Sequence, residues 1–145
     1  MTTNIDFKEQ VRRNAVALIS LAVAVTSLGY NTWRNEASEH NRNQRLVSIE
    51  LLLILGDFQQ LVLDRHYGVD NDGDAILRGG WSKVLTVRDL GQIAAGSVPS
   101  SAMHLFDVWS ADYDELGDSK DAKNRILMAV DAVRIDTKQV LESLD

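Results

Sequence analysis

The feature that most constrains this chain is an uncharged run of twenty residues, NAVALISLAVAVTSLGYNTW, from Asn14 to Trp33. It contains no proline, and Arg12, Arg13 and Arg34 bound it. As a helix rising ~1.5 Å per residue, it would extend ~30 Å, the thickness of a bilayer's hydrocarbon core. Backbone groups in lipid must be hydrogen-bonded internally, so a spanning segment has to be helical. The run therefore predicts a single transmembrane helix over residues 14–33.

Both ends of this run carry residues that favour the lipid–water boundary. Arg12 and Arg13 abut its start, and the amphipathic rings of Tyr30 and Trp33 lie near its end. We predict that these four residues anchor the helix at the two interfaces. Two alternatives remain open: a buried core helix of a soluble protein, and a cleaved signal peptide. Residues 22–24, Ala-Val-Ala, imitate the small-x-small cleavage signature, but the apolar run continues beyond them.

The orientation of the predicted span follows from its flanking charges. Three Lys or Arg residues precede it and three follow within reach, so a simple count gives no preference. The Arg12-Arg13 pair lies directly against the apolar run, and basic residues favour the cytoplasmic side. We therefore expect the N-terminus in the cytoplasm and the C-terminal domain outside it, in the periplasm if the source is a Gram-negative bacterium.

Small and hydrogen-bonding residues recur along one face of the predicted span at spacings of three and four. Such faces let transmembrane helices approach closely and form hydrogen bonds across the contact. Small residues are also common in any membrane helix, so this pattern has an ordinary alternative. The predicted packing face consists of Ala17, Ser20, Ala24, Ser27 and Asn31.

A polar stretch follows the span at residues 34–45. It contains neither glycine nor proline, so the helix can continue through it as a stalk. A flexible linker is the alternative, because asparagine is a weak helix former. The juxtamembrane pattern Asn-x-Trp-x-Asn-Glu, formed by Asn31, Trp33, Asn35 and Glu36, resembles one in single-pass bacterial membrane proteins. This resemblance covers about the first 45 residues, and it implies an inner-membrane location without implying an activity.

Residues 46–145 predict a domain of about four antiparallel helices. Apolar residues recur at helical spacing over 46–67, 81–95, about 100–116 and about 119–144, whereas 68–80 is rich in Gly, Asn and Asp and predicts a loop. No stretch alternates with the period of a strand over a useful length. With 1–13 as a short tail, the expected fold is all-α: a transmembrane helix continuous with a stalk, followed by an antiparallel bundle.

The first bundle helix is apolar around much of its circumference. Twelve of the eighteen residues from 46 to 63 are apolar, more than one groove of a small bundle covers. We expect the excess surface to contact another chain. The predicted partner face consists of Leu46, Ile49, Leu53 and Leu61.

Charge and composition exclude several functions. The chain has a net charge of −6, and residues 46–145 carry nine Lys or Arg against seventeen Asp or Glu. An acidic domain repels phosphate backbones, so we expect no nucleic-acid partner. The chain has no cysteine, which excludes disulfides, thiolate metal sites and a cysteine nucleophile.

No motif predicts catalysis or metal binding. His40, His66 and His104 lie on different predicted elements, without the spacing of metal ligands. Residues 70, 72 and 74 are aspartates that alternate as calcium ligands can, but Ala75 and Trp81 occupy the positions of the glycine and glutamate of an EF-hand loop. We expect no enzymatic activity, no metal and no cofactor.

These observations favour a non-enzymatic, single-pass membrane protein that assembles with itself or with a larger membrane complex. Its expected partners are the lipid bilayer and other protein chains. The alternative is a membrane-anchored helical bundle that senses a small molecule bound between its helices. A polar pocket within the bundle would favour the second interpretation.

Overall fold

The computed structural model describes residues 7–68 and 73–144, and these residues are almost entirely helical. The α-helices are α1 (Phe7–Arg13), α2 (Ala15–Tyr67), α3 (Gly73–Ile93), α4 (Val98–Asp112) and α5 (Lys120–Ser143), with a 3₁₀ turn at Tyr113–Glu115 between α4 and α5. No strand occurs in these ranges. The chain divides into two compact units, Met1–His40 and Asn41–Asp145. The predicted all-α class is therefore confirmed.

The first unit contains α1 and the first part of α2. Helix α1 forms the last part of the N-terminal tail, and the amide of Asn14 still donates to Gln10 O at 3.1 Å across the junction. Helix α2 then continues without a break for 53 residues, because the chain's single proline lies far downstream. By length and composition, it is the one helix among the described residues that could cross a membrane. Residues 34–43, predicted as stalk, are helical and exposed.

The second unit is a four-helix bundle in which α2, α3, α4 and α5 alternate in direction. Gln44, near the start of the α2 segment, bonds Ile93 at the end of α3. Further along α2, Asp57 pairs with Lys83, which lies earlier in α3, so the two helices are antiparallel. Arg45 likewise bonds Leu144 near the end of α5, and further along α2 Gln59 bonds Arg134.

Helices α3, α4 and α5 alternate in direction in the same way. In the α3–α4 pair, Gly91 packs on Ala102, and Trp81 stacks edge-on against Tyr113 just beyond α4. Asp112 at the end of α4 pairs with Arg125 near the start of α5. Together these contacts confirm the antiparallel arrangement predicted from the sequence.

The core lies between the four helices and is built around an aromatic pair. The rings of Phe58 on α2 and Trp109 on α4 meet edge-on, with centroids 5.1 Å apart. The apolar stripe that recurs along α5 lies in the core at Ile126, Val130, Val133, Thr137 and Val140, whereas Leu144 beyond the end of the helix is only partly buried. Burying such side chains contributes roughly 1.5–3 kcal/mol each, before the entropic cost of ordering the chain is subtracted.

The loop predicted over residues 68–80 is wrong for its second half. Helix α3 begins at Gly73, and Ile76 within the expected loop is buried. A Cβ at Gly80 would overlap the Trp109 ring, and one at Gly79 would lie 3.1 Å from Leu61 Cδ1, a tight contact. These two glycines allow close helix packing rather than a turn. Residues 70 and 72, considered for calcium, lie outside the described residues.

The remaining helix boundaries agree with the sequence signals in most details. Gly96 has a φ of +66° and follows the end of α3, a conformation and position that suit a glycine that terminates a helix. Ser119 caps α5, and its Oγ accepts a hydrogen bond from Ala122 N at 3.1 Å. Ser97 occupies the N-cap position of α4, but its side chain makes no capping bond.

Candidate assembly surfaces

The apolar segment of α2 in the first unit presents its side chains outward on every side. Each residue from 16 to 33 is exposed, including Val16, which is 79% exposed, and Leu28, which is 69% exposed. A helix of this kind is stable in contact with lipid or with other apolar helices, and its surface is unfavourable in water. The hydroxyls of Thr26 and Thr32 bond carbonyls four residues earlier, at 2.8 and 3.0 Å, so these polar atoms are satisfied within the helix.

The residues predicted to pack or anchor the span are all accessible. Ala17, Ser20, Ala24, Ser27 and Asn31 are exposed, and their spacing in the helix places them on one side. Tyr30 and Trp33 lie together, with ring centroids 6.1 Å apart. Arg12 and Arg13 form the exposed last turn of α1, one residue before α2.

The predicted partner face of the bundle divides into two parts. Leu46, Ile49 and Leu53 are 58%, 50% and 63% exposed and lie along the outer side of α2. Leu61 is instead half-buried and packs against Gly79 and Gly80 of α3. Only the first three therefore remain as an outer apolar stripe, which we call the α2 ridge.

A glycine extends the α2 ridge. Gly56 follows Leu53 by three residues and is exposed, and a Cβ built on it would meet nothing within 4 Å. Within α3, Gly79, Gly80 and Gly91 lie against neighbouring side chains. The protomer itself therefore gives no packing reason for a glycine at position 56.

The residues just before the ridge hold α2 to the ends of two other helices. The Gln44 amide is buried; its Nε2 donates to Ile93 O at 3.1 Å, and its Oε1 accepts from Ala95 N at 2.9 Å. The guanidinium of Arg45 donates from Nη2 to Leu144 O at 2.7 Å. Both residues belong to the bundle unit, whereas the sequence placed them in the stalk. These contacts could not be predicted from sequence periodicity. A polar residue just before an apolar helix has the same local pattern whether it contacts another helix or lies in a solvated stalk.

Asp112 and Arg125 form a bidentate ion pair in the bundle. Two hydrogen bonds of 2.8 and 2.7 Å join Arg125 Nε and Nη2 to the two carboxylate oxygens of Asp112. Hydrogen bonding by Arg125 holds the pKa of the Asp112 carboxyl below its usual value, although burial opposes this shift. The pair joins the end of α4 to the start of α5 and has a structural role.

One open groove between α2 and α3 contains ionisable side chains. It has a volume of about 310 Å³ and is lined by Asp57, Gln60, Leu61, Asp64, Ile76 and Lys83. Its polar groups already bind one another: Lys83 Nζ donates to Asp57 at 3.0 Å, and Gln60 Nε2 donates to Asp64 at 2.7 Å. Across the described residues, no group of three or more His, Asp or Glu side chains is arranged to hold a metal ion.

No protein-family model matches the chain, and no curated protein or solved structure is significantly similar to it. Functional inference therefore depends on the exposed apolar segment of the first unit and on the α2 ridge of the second.

Proposed function

We propose that this chain is a non-enzymatic, single-pass membrane subunit that assembles with other protein chains. The observation that carries the proposal is the outward-facing apolar surface of residues 16–33 on an unbroken helix. Eighteen consecutive exposed and uncharged residues suit a hydrocarbon environment, and they match the length needed to cross it. The bilayer is therefore the first partner, and a bacterial inner membrane is the proposed location.

Two features support assembly with protein as well as insertion into lipid. The face containing Ser20, Ala24 and Ser27 allows a second helix to approach closely within the membrane. The α2 ridge presents apolar surface outside the proposed span, where water is the alternative contact. Its burial against another chain would be favourable by ~25 cal/mol for each Å² covered.

The experiment compares the full chain with residues 41–145 alone. The full chain should stay with membranes through alkaline and high-salt washes, while residues 41–145 should remain in the soluble fraction. After extraction in mild detergent, the protein part of the particle should exceed the 16.1 kDa of one chain. Recovery of the full chain without detergent, or a strictly monomeric particle, would contradict the proposal.

A matched pair of variants tests the contact within the membrane. Ala24→Leu adds bulk to the proposed packing face and should shift the particle toward monomer. Ala22→Leu adds the same bulk about 200° around the helix and should not. An equal effect of both substitutions would mean that this face has no special role in assembly.

The alternative function is a small-molecule sensor that uses the groove between α2 and α3. Its volume and its Asp57–Lys83 pair favour a small polar ligand over an apolar one. A ligand would have to displace the hydrogen bonds already made there, which reduces the affinity available. A metabolite retained by the purified protein and lost in Lys83→Ala would favour this alternative.

A further inference from the structure

The α2 ridge has the spacing of a coiled-coil seam. Leu46, Ile49, Leu53 and Gly56 follow one another at intervals of three, four and three residues, as the a and d positions of two heptads do. The first three are among the exposed large apolar residues of the bundle, and helical geometry places all four on the side of α2 away from the core residue Leu51. The ridge therefore has the pattern of a helix that pairs with another helix along its outer side.

Gly56 indicates how closely the second helix approaches. Glycine destabilises a helix interior relative to alanine, and a side chain at this position would meet nothing within 4 Å. A glycine on an exposed helix face next to apolar residues is instead suited to the close crossing of two backbones. Position 56 is thus the expected point of nearest approach.

The charges that flank the ridge are complementary for two identical chains. With Leu46 at position a, Arg45 takes position g and Glu50 takes position e of the next heptad, and both are exposed. In a parallel pair, a g residue of one chain lies beside the e residue five positions later in the other. Arg45 of each copy would therefore lie beside Glu50 of the other, which gives two such pairs in the dimer. Arg45 also donates to Leu144 O, and its guanidinium carries five N–H donors in all.

From these three observations we propose that the α2 ridge is the contact of a parallel homodimer, with its closest approach at Gly56. The inference rests on the proposed function, because both copies are anchored in one membrane, and parallel pairing is the arrangement in which Arg45 of each copy lies beside Glu50 of the other. It goes further by naming the partner as a second copy of this chain. It also assigns the contact to a ridge of the bundle, separate from the small-residue face of the span.

The absence of cysteine allows a direct test in native membranes. Leu53→Cys and Ile49→Cys are introduced singly into the full chain and oxidised mildly, and the products are separated without reductant. Equivalent a or d residues face each other across the symmetry axis, close enough for a disulfide. Each variant should form a covalent dimer several-fold more than the controls Met128→Cys and Ile135→Cys, which are exposed on α5. Cross-linking no greater than in these controls would overturn the proposal.

Gly56→Leu provides a second arm of the cross-linking test, because it adds bulk at the proposed point of closest approach. Since position 56 is exposed and a Cβ there meets nothing within 4 Å, helicity and thermal stability should be maintained. The Leu53→Cys dimer should decrease several-fold when the two changes are combined. An undiminished dimer would overturn the assignment of the contact. Cross-linking of Leu53→Cys only to a protein of different mass would overturn the second copy as partner and leave the proposed function intact. A monomer in both membranes and detergent would contradict both proposals.

Discussion

The Asp112–Arg125 pair illustrates how an individual residue contributes to the bundle. The Asp112 side chain is only 10% exposed, and both of its oxygens accept from one guanidinium. A buried carboxylate needs such a partner, because removal from water otherwise favours its neutral form. The pair links the end of α4 to the start of α5 beside the 3₁₀ turn, so its loss would weaken the packing between these two helices.

We expect the Asp112–Arg125 pair to make stability depend on pH in the acid range. Because the pKa of Asp112 is lower in the folded chain, the unfolded chain binds the proton more readily. The contribution is complete above the ordinary aspartate pKa of ~3.9 and is lost as pH falls through the lower folded value. Asp112→Asn should cost about 1–2 kcal/mol at pH 7 in denaturant unfolding of residues 41–145 and should reduce the acid dependence.

Asp131→Asn is the matched control for this prediction. Asp131 pairs with Arg134 one helical turn away, but its side chain is 62% exposed. Exposed pairs of this kind contribute roughly 0–1 kcal/mol, so the change should be small at every pH. Equal losses in the two variants would show that the Asp112 pair has no special contribution.

At the scale of elements, α2 is the helix to which the other bundle helices attach. Gln44 satisfies a carbonyl at the end of α3 and an amide of the following turn, and Arg45 satisfies the carbonyl of Leu144 just beyond α5. The last carbonyls of a helix have no partner within that helix, so side chains from α2 replace water there. These two consecutive residues therefore fix the register of α2 against two neighbours.

We predict that Gln44→Leu loosens the end of α3. The substitution leaves the Ile93 carbonyl and the Ala95 amide without their side-chain partner, at a cost of roughly 1–3 kcal/mol. Hydrogen exchange at the last turn of α3 and at Ala95 should accelerate. Gln60→Leu, which removes an exposed bond to Asp64 within α2, should leave α3 unchanged. Unaltered hydrogen exchange at Ala95 in Gln44→Leu would contradict the proposed role of Gln44 in holding the end of α3.

At the scale of the whole molecule, the two units differ in the surfaces they present. The apolar residues 16–33 face outward, whereas most of the large apolar side chains of the bundle face its core. The net negative charge is concentrated in residues 46–145, while the first 45 residues have an excess of basic side chains. This asymmetry suits a chain with one part in lipid and the other in water.

We predict that the bundle lies outside the cytoplasm. A phosphatase reporter fused after residue 145 should be active in bacterial cells, and a reporter that fluoresces only in the cytoplasm should be dark. The physical reason is the Arg12-Arg13 pair beside the span, since basic flanks are retained on the cytoplasmic side. Replacing both arginines with Gln should weaken the preference. The reverse reporter pattern would place the bundle in the cytoplasm.

The features predictable from sequence were those set by local periodicity and capping. The uncharged run, the stripe of Ile126, Val130 and Val133 on α5, and the Ser119 cap each depend on residues within a few turns of one another. Such patterns report which face of a helix is apolar and where the helix begins, so the all-α class and the four bundle helices could be predicted.

The tertiary structure alone decided features that depend on which residues meet across helices. Gly79 and Gly80 resemble loop residues in sequence, yet they allow α3 to pack against Leu61 and Trp109, so the helix extends through them. The same packing removes Leu61 from the outer face and leaves Leu46, Ile49 and Leu53 exposed. Gln44 holds the end of α3 only because the fold places Ile93 and Ala95 within hydrogen-bonding distance of its side chain. The sequence around a residue is the same whether its side chain contacts water or another helix. Only the tertiary fold determines which of the two it contacts.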